Sequence, residues 1–293
     1  VLVNSHEKIV ESPIMTTQDL APCESTRAQI ASTVWFSVLI PGLGHLLQKQ
    51  RGWALFWFVT SQFLLISGFY LADFSQLDYG SPLGIGGNTI IYFLIPESGN
   101  FLSTQIFARM YDSIESGGRY PTEIPWRNLG YIMSAMSGFC GIFSAAHAAG
   151  MLSRSSASSS HAKTLLNPGS AALLSFMLPG LGHYKTGRKF KGVLLGGSIM
   201  ALFIVGMMLG DWADFDRQRH SYYWVGQMCM GGSGWLTALM SEPAKFTSVM
   251  PYQDVGLLFT TAAGFFNIVA SLDAFHRAEH DILILEPSND ISE

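Results

Sequence analysis

At 293 residues the chain is long enough for one or two domains, but 48% hydrophobic and only 13% charged residues leave too few charges to coat a soluble globule of that size. A positive mean hydropathy of +0.27 and long charge-free runs point to lipid as the solvent. A formal net charge of -4 excludes the basic stripe expected of a nucleic-acid binder.

Residues 1–28 are polar, carry Glu7, Glu11, Asp19 and Glu24, and lack the basic start and apolar middle of a signal peptide. They read as a flexible cytoplasmic tail. Cys23 follows Leu20-Ala21-Pro22 with no apolar stretch before it, so it is not a lipoprotein cleavage site. Cys140 and Cys229 lie in separate apolar segments and read as small buried side chains.

A short apolar stretch over 29–45 ends in Pro41-Gly42-Leu43-Gly44-His45. A long apolar helix over 52–72 comes next, then a polar stretch enclosing a weaker glycine-rich run over 83–96, then a long helix over 129–152. Gly84-Ile85-Gly86-Gly87 lacks the strand-turn-helix setting of a phosphate-binding loop. A Ser-rich segment over 153–169, centred on Ser153 to Ser160, reads as a linker. The same parts then recur. A short apolar stretch over 170–183 ends in Pro179-Gly180-Leu181-Gly182-His183, followed by a long helix over 190–210, a weaker run over 222–240 and a long helix over 254–275. Residues 277–293 form a second cytoplasmic tail.

The recurrence reaches individual residues. The two PGLGH motifs are offset by 138 (183 minus 45), Ser98-Gly99 is echoed by Ser233-Gly234 at 135, and Gly130, Gly138-Phe139 and Ala148 match Gly256, Gly264-Phe265 and Ala274 at 126. Offsets that shrink in order along the chain are those of a duplicated unit with deletions between fixed elements. The expected fold is therefore an all-α membrane protein of two parallel tandem repeats, 29–152 and 170–276. Each has a re-entrant or interfacial half-helix and two transmembrane helices of the ~20 residues a bilayer requires.

The order of apolar stretch, PGLGH, Tyr, Gly, basic residues, Gly and long helix, clearest over Leu178 to Gly192, resembles a widespread group of bacterial membrane proteins related to the two-transmembrane-helix domain family. The last helix, with Gly264, Asn267 and Asp273-Ala274, is similar to the Gly-Phe-Leu-Asn to Asp-Ala ending of that group. The resemblance covers most of 170–276 and, more loosely, 29–152. The first copy departs from it, with Leu46-Leu47 at the aromatic position and His147 where the second has Asp273. The resemblance implies a fold and a bacterial setting and supplies no reaction.

Basic residues follow both PGLGH motifs (Lys49, Arg51; Lys185, Arg188, Lys189, Lys191) and the first unit's last helix (Arg154, Lys163), whereas Asp73, Asp78, Asp211, Asp214 and Asp216 follow the second elements. The positive-inside rule places the basic loops in the cytoplasm. Full crossings before each PGLGH would put the basic loops on opposite sides, and 171–178 is too short to cross a ~30 Å core. The half-helices therefore return to the cytoplasmic side, which requires their broken backbone to be buried by protein or to face water. Both termini are then cytoplasmic, at a bacterial cytoplasmic membrane, and Arg109, Arg119, Arg127, Arg217, Arg219 and Lys245 lie outside.

In PGLGH, Pro41, Gly42 and Gly44, like Pro179, Gly180 and Gly182, supply a helix break and a sharp turn. The functional alternative makes His45 and His183 a pair able to bind metal or carry protons. Asp273, His276 and His280 fall at i, i+3 and i+7 of one helix face, a carboxylate with two imidazoles that could ligate a divalent ion, but without metalloprotease spacing. Asn267 lies deeper and is expected to bond between helices. Small-residue stripes such as Gly130, Ser134, Gly138 and Gly192, Gly196 allow close helix packing, inside the chain or with a homo-oligomer or another membrane protein. No GxSxG, Walker loop or CxxC occurs, and no acidic or basic residue lies mid-span. The leading reading is a non-enzymatic structural, assembly or accessory membrane component with no cofactor. The alternatives are a small-solute or ion conduit, prompted by paired broken half-helices, and a metal-dependent membrane enzyme, which needs His45, His147, His183, Asp273 and His276 to converge.

Overall fold

The computed structural model describes residues 24–77, 95–114, 124–156, 164–217, 219–241 and 250–284. Nearly all of the first tail, the glycine-rich run 83–96 except its last two residues, part of the Ser-rich linker, Arg119, Lys245 and the end of the second tail lie outside the described residues. Among the described residues the chain is helical throughout, without strands. The first half contains α1 (Glu24–Leu39), a single turn α2 (Leu43–Leu47), α3 (Arg51–Leu71), a 3-10 turn (Pro96–Asn100), α4 (Phe101–Ile114) and α5 (Arg127–Ser156). The second half contains α6 (Pro168–Met177), a single turn α7 (Leu181–Lys185), α8 (Lys189–Leu209), α9 (Ser221–Met228), α10 (Gly232–Met240) and α11 (Gln253–Ile284).

Four of these helices, α3, α5, α8 and α11, are long and apolar enough to cross a membrane. At a rise of 1.5 Å per residue, the 21 residues of α3 and of α8 span about 31 Å, the thickness of a bilayer core. Their outward faces are apolar: Phe190 is 82% exposed, Val193 65% and Leu55 64%. That is the arrangement expected where lipid is the solvent, since burial from water no longer decides which face turns inward. Small residues on the inward faces let backbones touch. A methyl group at Gly130 would overlap the Gly68 carbonyl and Ala72 of α3, and one at Gly256 would overlap the Gly206 carbonyl and Gly210 at the end of α8.

Each PGLGH motif breaks the chain between a half-helix and a long helix. In the second half Asn167 caps α6, its side chain accepting from the Gly169 and Ser170 amides, and Pro168 starts the helix. Such a cap and N1 proline are strong start signals. Leu178 is extended, Pro179 cannot continue the helix, and Gly180 turns the chain at φ 80. The turn sits directly on α8, where a side chain at Gly180 would overlap the Gly192 carbonyl and one at Gly196 the Pro179 carbonyl. In the first half Gly42 has φ 91, a side chain there would overlap the Ala54 carbonyl of α3, and its amide donates to Ser144 Oγ of α5 at 2.9 Å.

The helix α6 is wedged between α5 and α11. Its Phe176 meets Phe139 and Phe143 of α5 at ring distances of 4.9 and 4.8 Å and Trp235 of α10 at 5.7 Å. The run 222–240 is not one helix but two, because Gly231 takes φ 64 and presses against the Phe176 carbonyl. The helix α11 continues through His276 and His280 to Ile284, held by the Arg188–Asp281 pair at 2.9 and 2.6 Å.

Gly180 and Gly187 share a left-handed backbone, φ 80 and 87, but only Gly180 is crowded. Gly187→Ala is expected to cost about 1 kcal/mol, the conformational penalty alone. Gly180→Ala should cost at least about 3 kcal/mol, because overlap with the backbone of α8 is added. Thermal unfolding in one detergent compares the two, and equal effects would show that the turn does not seat on α8.

Candidate functional site

Both PGLGH histidines are fully buried, and each is aimed at the last helix of its own half. His45 Nε2 lies 2.8 Å from His147 Nδ1 of α5, so one ring donates and the other accepts. Burial first, and His147 next, bring His45 down from an ordinary 6.5 to about 4, so the ring is neutral at pH 7. Trp53 of α3 covers His147 at a ring distance of 4.6 Å. Gln48 Nε2, three residues past the motif, donates to the Ala148 carbonyl at 2.8 Å. These contacts fasten the first turn to α5 from both sides.

In the second half His183 Nε2 is 3.1 Å from Asp273 Oδ2 of α11, although the ring nitrogen is not aligned for a hydrogen bond. Burial holds His183 below its ordinary pKa against the opposing pull of Asp273. Asp273 is also ion-paired with Lys191 of α8 and lies 3.5 Å from Arg277 Nε. The carboxylate thus faces two permanent cations before the imidazole is counted. An electrostatic clamp joins α7, α8 and α11 where the first half uses a neutral ring pair.

These placements decide what the proposed ligands can do. In the structure Asp273 pairs with His183, Lys191 and Arg277, while His276 is exposed and His280 half-buried. Among the described residues no three His, Cys, Asp or Glu side chains come close enough to hold a metal ion. Of the five groups the enzyme reading needs, four form two separate pairs, His45 with His147 and His183 with Asp273, and His276 is exposed on α11. Pro41, Gly42, Gly44, Pro179, Gly180 and Gly182 form the turns that carry them.

A second buried polar centre joins the halves. Arg217, between α8 and α9, donates through Nη1 to Glu97 Oε1 at 2.8 Å and through Nη2 to Oε2 at 3.4 Å. Both side chains are buried, at 3% and 0% exposure. The guanidinium also stacks over Tyr131 and Trp224, 4.9 and 4.7 Å from the ring centroids, and Ser134 of α5 donates to Glu97 Oε1 at 2.6 Å. Neither charge stands out in the sequence. Arg217 reads there as an outer-loop cation among acids, and Glu97 lies between Pro96 and Ser98 in a polar stretch. The one usable hint is the aromatic content of the segment after Arg217.

Removing one member of a buried ion pair strands the other in a poorly solvating interior. Arg217→Ala is expected to destabilise the protein by about 3–5 kcal/mol, and a Glu97→Gln, Arg217→Met double variant to recover most of that loss. Thermal unfolding of the three proteins measures this, and a double variant no more stable than Arg217→Ala would show that the loss does not come from a stranded charge.

A model for a family described as of unknown function, DUF6677, matches residues 170–282, from α6 to the end of α11. No curated protein and no solved structure matches the chain. The second half is therefore similar to a family whose description carries no activity.

Proposed function

We propose that this protein is a structural or assembly component of a bacterial cytoplasmic membrane, made of two parallel copies of one helical unit, with both termini in the cytoplasm. The observation that carries the reading is the filling of the contact between the halves. Phe139, Phe143, Phe176 and Trp235 occupy it with aromatic rings, and the buried ion pair that joins the halves, Glu97 with Arg217, spends its two charges on each other. A solute path along that contact would need polar side chains facing water. The duplication is favoured by matched contacts: Gly42 and Gly180 take the same left-handed turn against residues 54 and 192, and the two PGLGH histidines meet residues 147 and 273. The orientation is favoured by the basic residues around α7, the start of α8 and the end of α11. Its partners are the bilayer and a second membrane protein or second copy, docking on the apolar outer faces.

A conduit is the second reading, because two chain breaks meet halfway along α11. Asn267 Nδ2 donates to the Phe176 carbonyl before one break at 3.0 Å and to the Cys229 carbonyl before the other at 3.1 Å, and facing broken helices are a sequence and structural pointer to transport sites.

Proteoliposomes carrying the purified protein are expected to swell in small solutes no faster than protein-free vesicles. Faster, solute-selective swelling that Asn267→Leu abolishes would replace the structural reading with the conduit. Elemental analysis of the same preparation, beside a His45→Ala, His183→Ala double variant, is expected to find no stoichiometric metal. A bound metal lost from the double variant would revive the enzyme.

A further inference from the structure

The loops that follow α3 and α8 are built alike to the level of single hydrogen bonds. Asp73 and Phe74 take φ of 50 and 58, and Asp211 and Trp212 take 51 and 61. The Phe74 amide donates to Phe69 O and the Trp212 amide to Met207 O, both at 2.9 Å. The Ser75 and Ala213 amides donate to the carbonyls of Ala72 and Gly210, both at 3.0 Å. Two residues on, the first loop places Gln76 and the second Asp214, both fully buried.

Gln76 is used as a donor. Its Nε2 gives hydrogen bonds to the Gly68 carbonyl at 2.9 Å, to the Gly130 carbonyl at 3.4 Å and to Ser134 Oγ at 3.3 Å. The residues of the second half that match Gly68, Gly130 and Ser134 are Gly206, Gly256 and Thr260, which approach one another in the same way, and Gly256 also meets Gly210. The Asp214 carboxyl is pressed against Gly210, where a methyl group would overlap it, and neither of its oxygens has a hydrogen-bond partner. Thr260 Oγ1 is already engaged, accepting from Gln227 Nε2 and donating to the Gly256 carbonyl. A carboxylate cannot donate a hydrogen bond to a carbonyl, and a carboxylic acid can.

We propose that Asp214 is a proton-binding site, a carboxylic acid kept protonated in the folded protein so that it presents an O–H where Gln76 presents an amide N–H. The inference rests on the two loops themselves and holds whatever the origin of the halves. On its loop and the adjoining ends of α8, α9 and α11 the charged or titratable side chains are Asp211, Asp216, Arg217, Arg219, His220, Tyr222, Tyr223, Tyr252 and Asp254. Arg217 is held by Glu97. Burial alone lifts Asp214 from 3.8 to about 7.

The folded state therefore binds a proton that the unfolded chain releases at a pH about three units lower, and stability falls as pH rises from about 4 to about 7. The test is infrared titration of the full-length protein in lipid nanodiscs, reading the carboxylic C=O stretch. Wild type is expected to show a protonated-carboxyl band at pH 5 to 6 that titrates away near pH 7, and Asp214→Asn to lack it while folding, since the first loop already carries an amide. The melting temperature of wild type should fall across that range and that of Asp214→Asn should stay level. Gln76→Glu, the reciprocal change, should add a second band. Absence of the wild-type band, its persistence in Asp214→Asn, or a melting temperature that follows sodium concentration rather than pH overturns the proposal. Should Asp214→Asn not fold, the wild-type band and the Gln76→Glu spectrum decide the matter between them.

Discussion

A helix that breaks inside a bilayer leaves carbonyls without donors, and each unsatisfied group costs several kcal/mol. The second half meets that constraint with one side chain. Asn267, near the middle of α11, donates to the last carbonyls before two separate breaks, Phe176 O at the end of α6 and Cys229 O at the end of α9. Because one amide reaches both, the ends of α6 and α9 must lie against the same turn of α11. That fixes Phe176 beside Phe139, Phe143 and Trp235, the aromatic contact between the halves. In the first half the matching contact is made by close backbone packing. Gly141 and Gly138 bring α5 against the Gly99 and Pro96 carbonyls, and Asn100 reaches Ser137 Oγ at 3.0 Å.

How much of this can be read from sequence follows from the range of each interaction. The four long apolar helices and the PGLGH turns are local, set by apolar run length and by Pro and Gly, and they appear in the structure within a few residues of where the sequence puts them, except that α11 runs on and α1 starts at Glu24 within the stretch read as a tail. The stripe Gly192, Gly196 is legible as a close approach, and the approach is to the PGLGH turn. Two features escaped because they depend on distant partners. The helix α11 runs on into residues that look like a tail, since Arg188, 93 positions earlier, holds Asp281. Arg217 and Glu97 are 120 positions apart, each in a segment whose polarity suggests water. A charged side chain on a short connecting segment looks exposed until its partner is known, and no periodicity reports a partner.

The split of 222–240 at Gly231 illustrates a third limit. The run is apolar enough for one helix and too short for its break to show as a change of period. Gly231 takes φ 64, and a side chain there would overlap the Phe176 carbonyl, so the glycines at 231, 232 and 234 permit the break and the end of another helix fixes its place.

Under the proposed duplication, the places where the halves differ are chemical rather than geometric. His147 becomes Asp273, and the partner changes from a neutral ring to one joined by Lys191 and Arg277. Ser134 holds Glu97, whereas the matching Thr260 holds Gln227. Gln76 gives way to Asp214. Each half thus has one buried acid and one buried amide on the matching segments, with their positions exchanged. The acid of the first half is neutralised by an arginine from the second. Among the described residues no cation reaches Asp214, which is why the proposed proton falls to the second half. A chain whose two halves balance charge so unequally cannot exchange them, and Glu97 in particular would be stranded without the loop that carries Arg217. The interface between the halves is therefore part of the stability of the first half itself, which is the behaviour expected of one folded unit and not of two units joined by a linker.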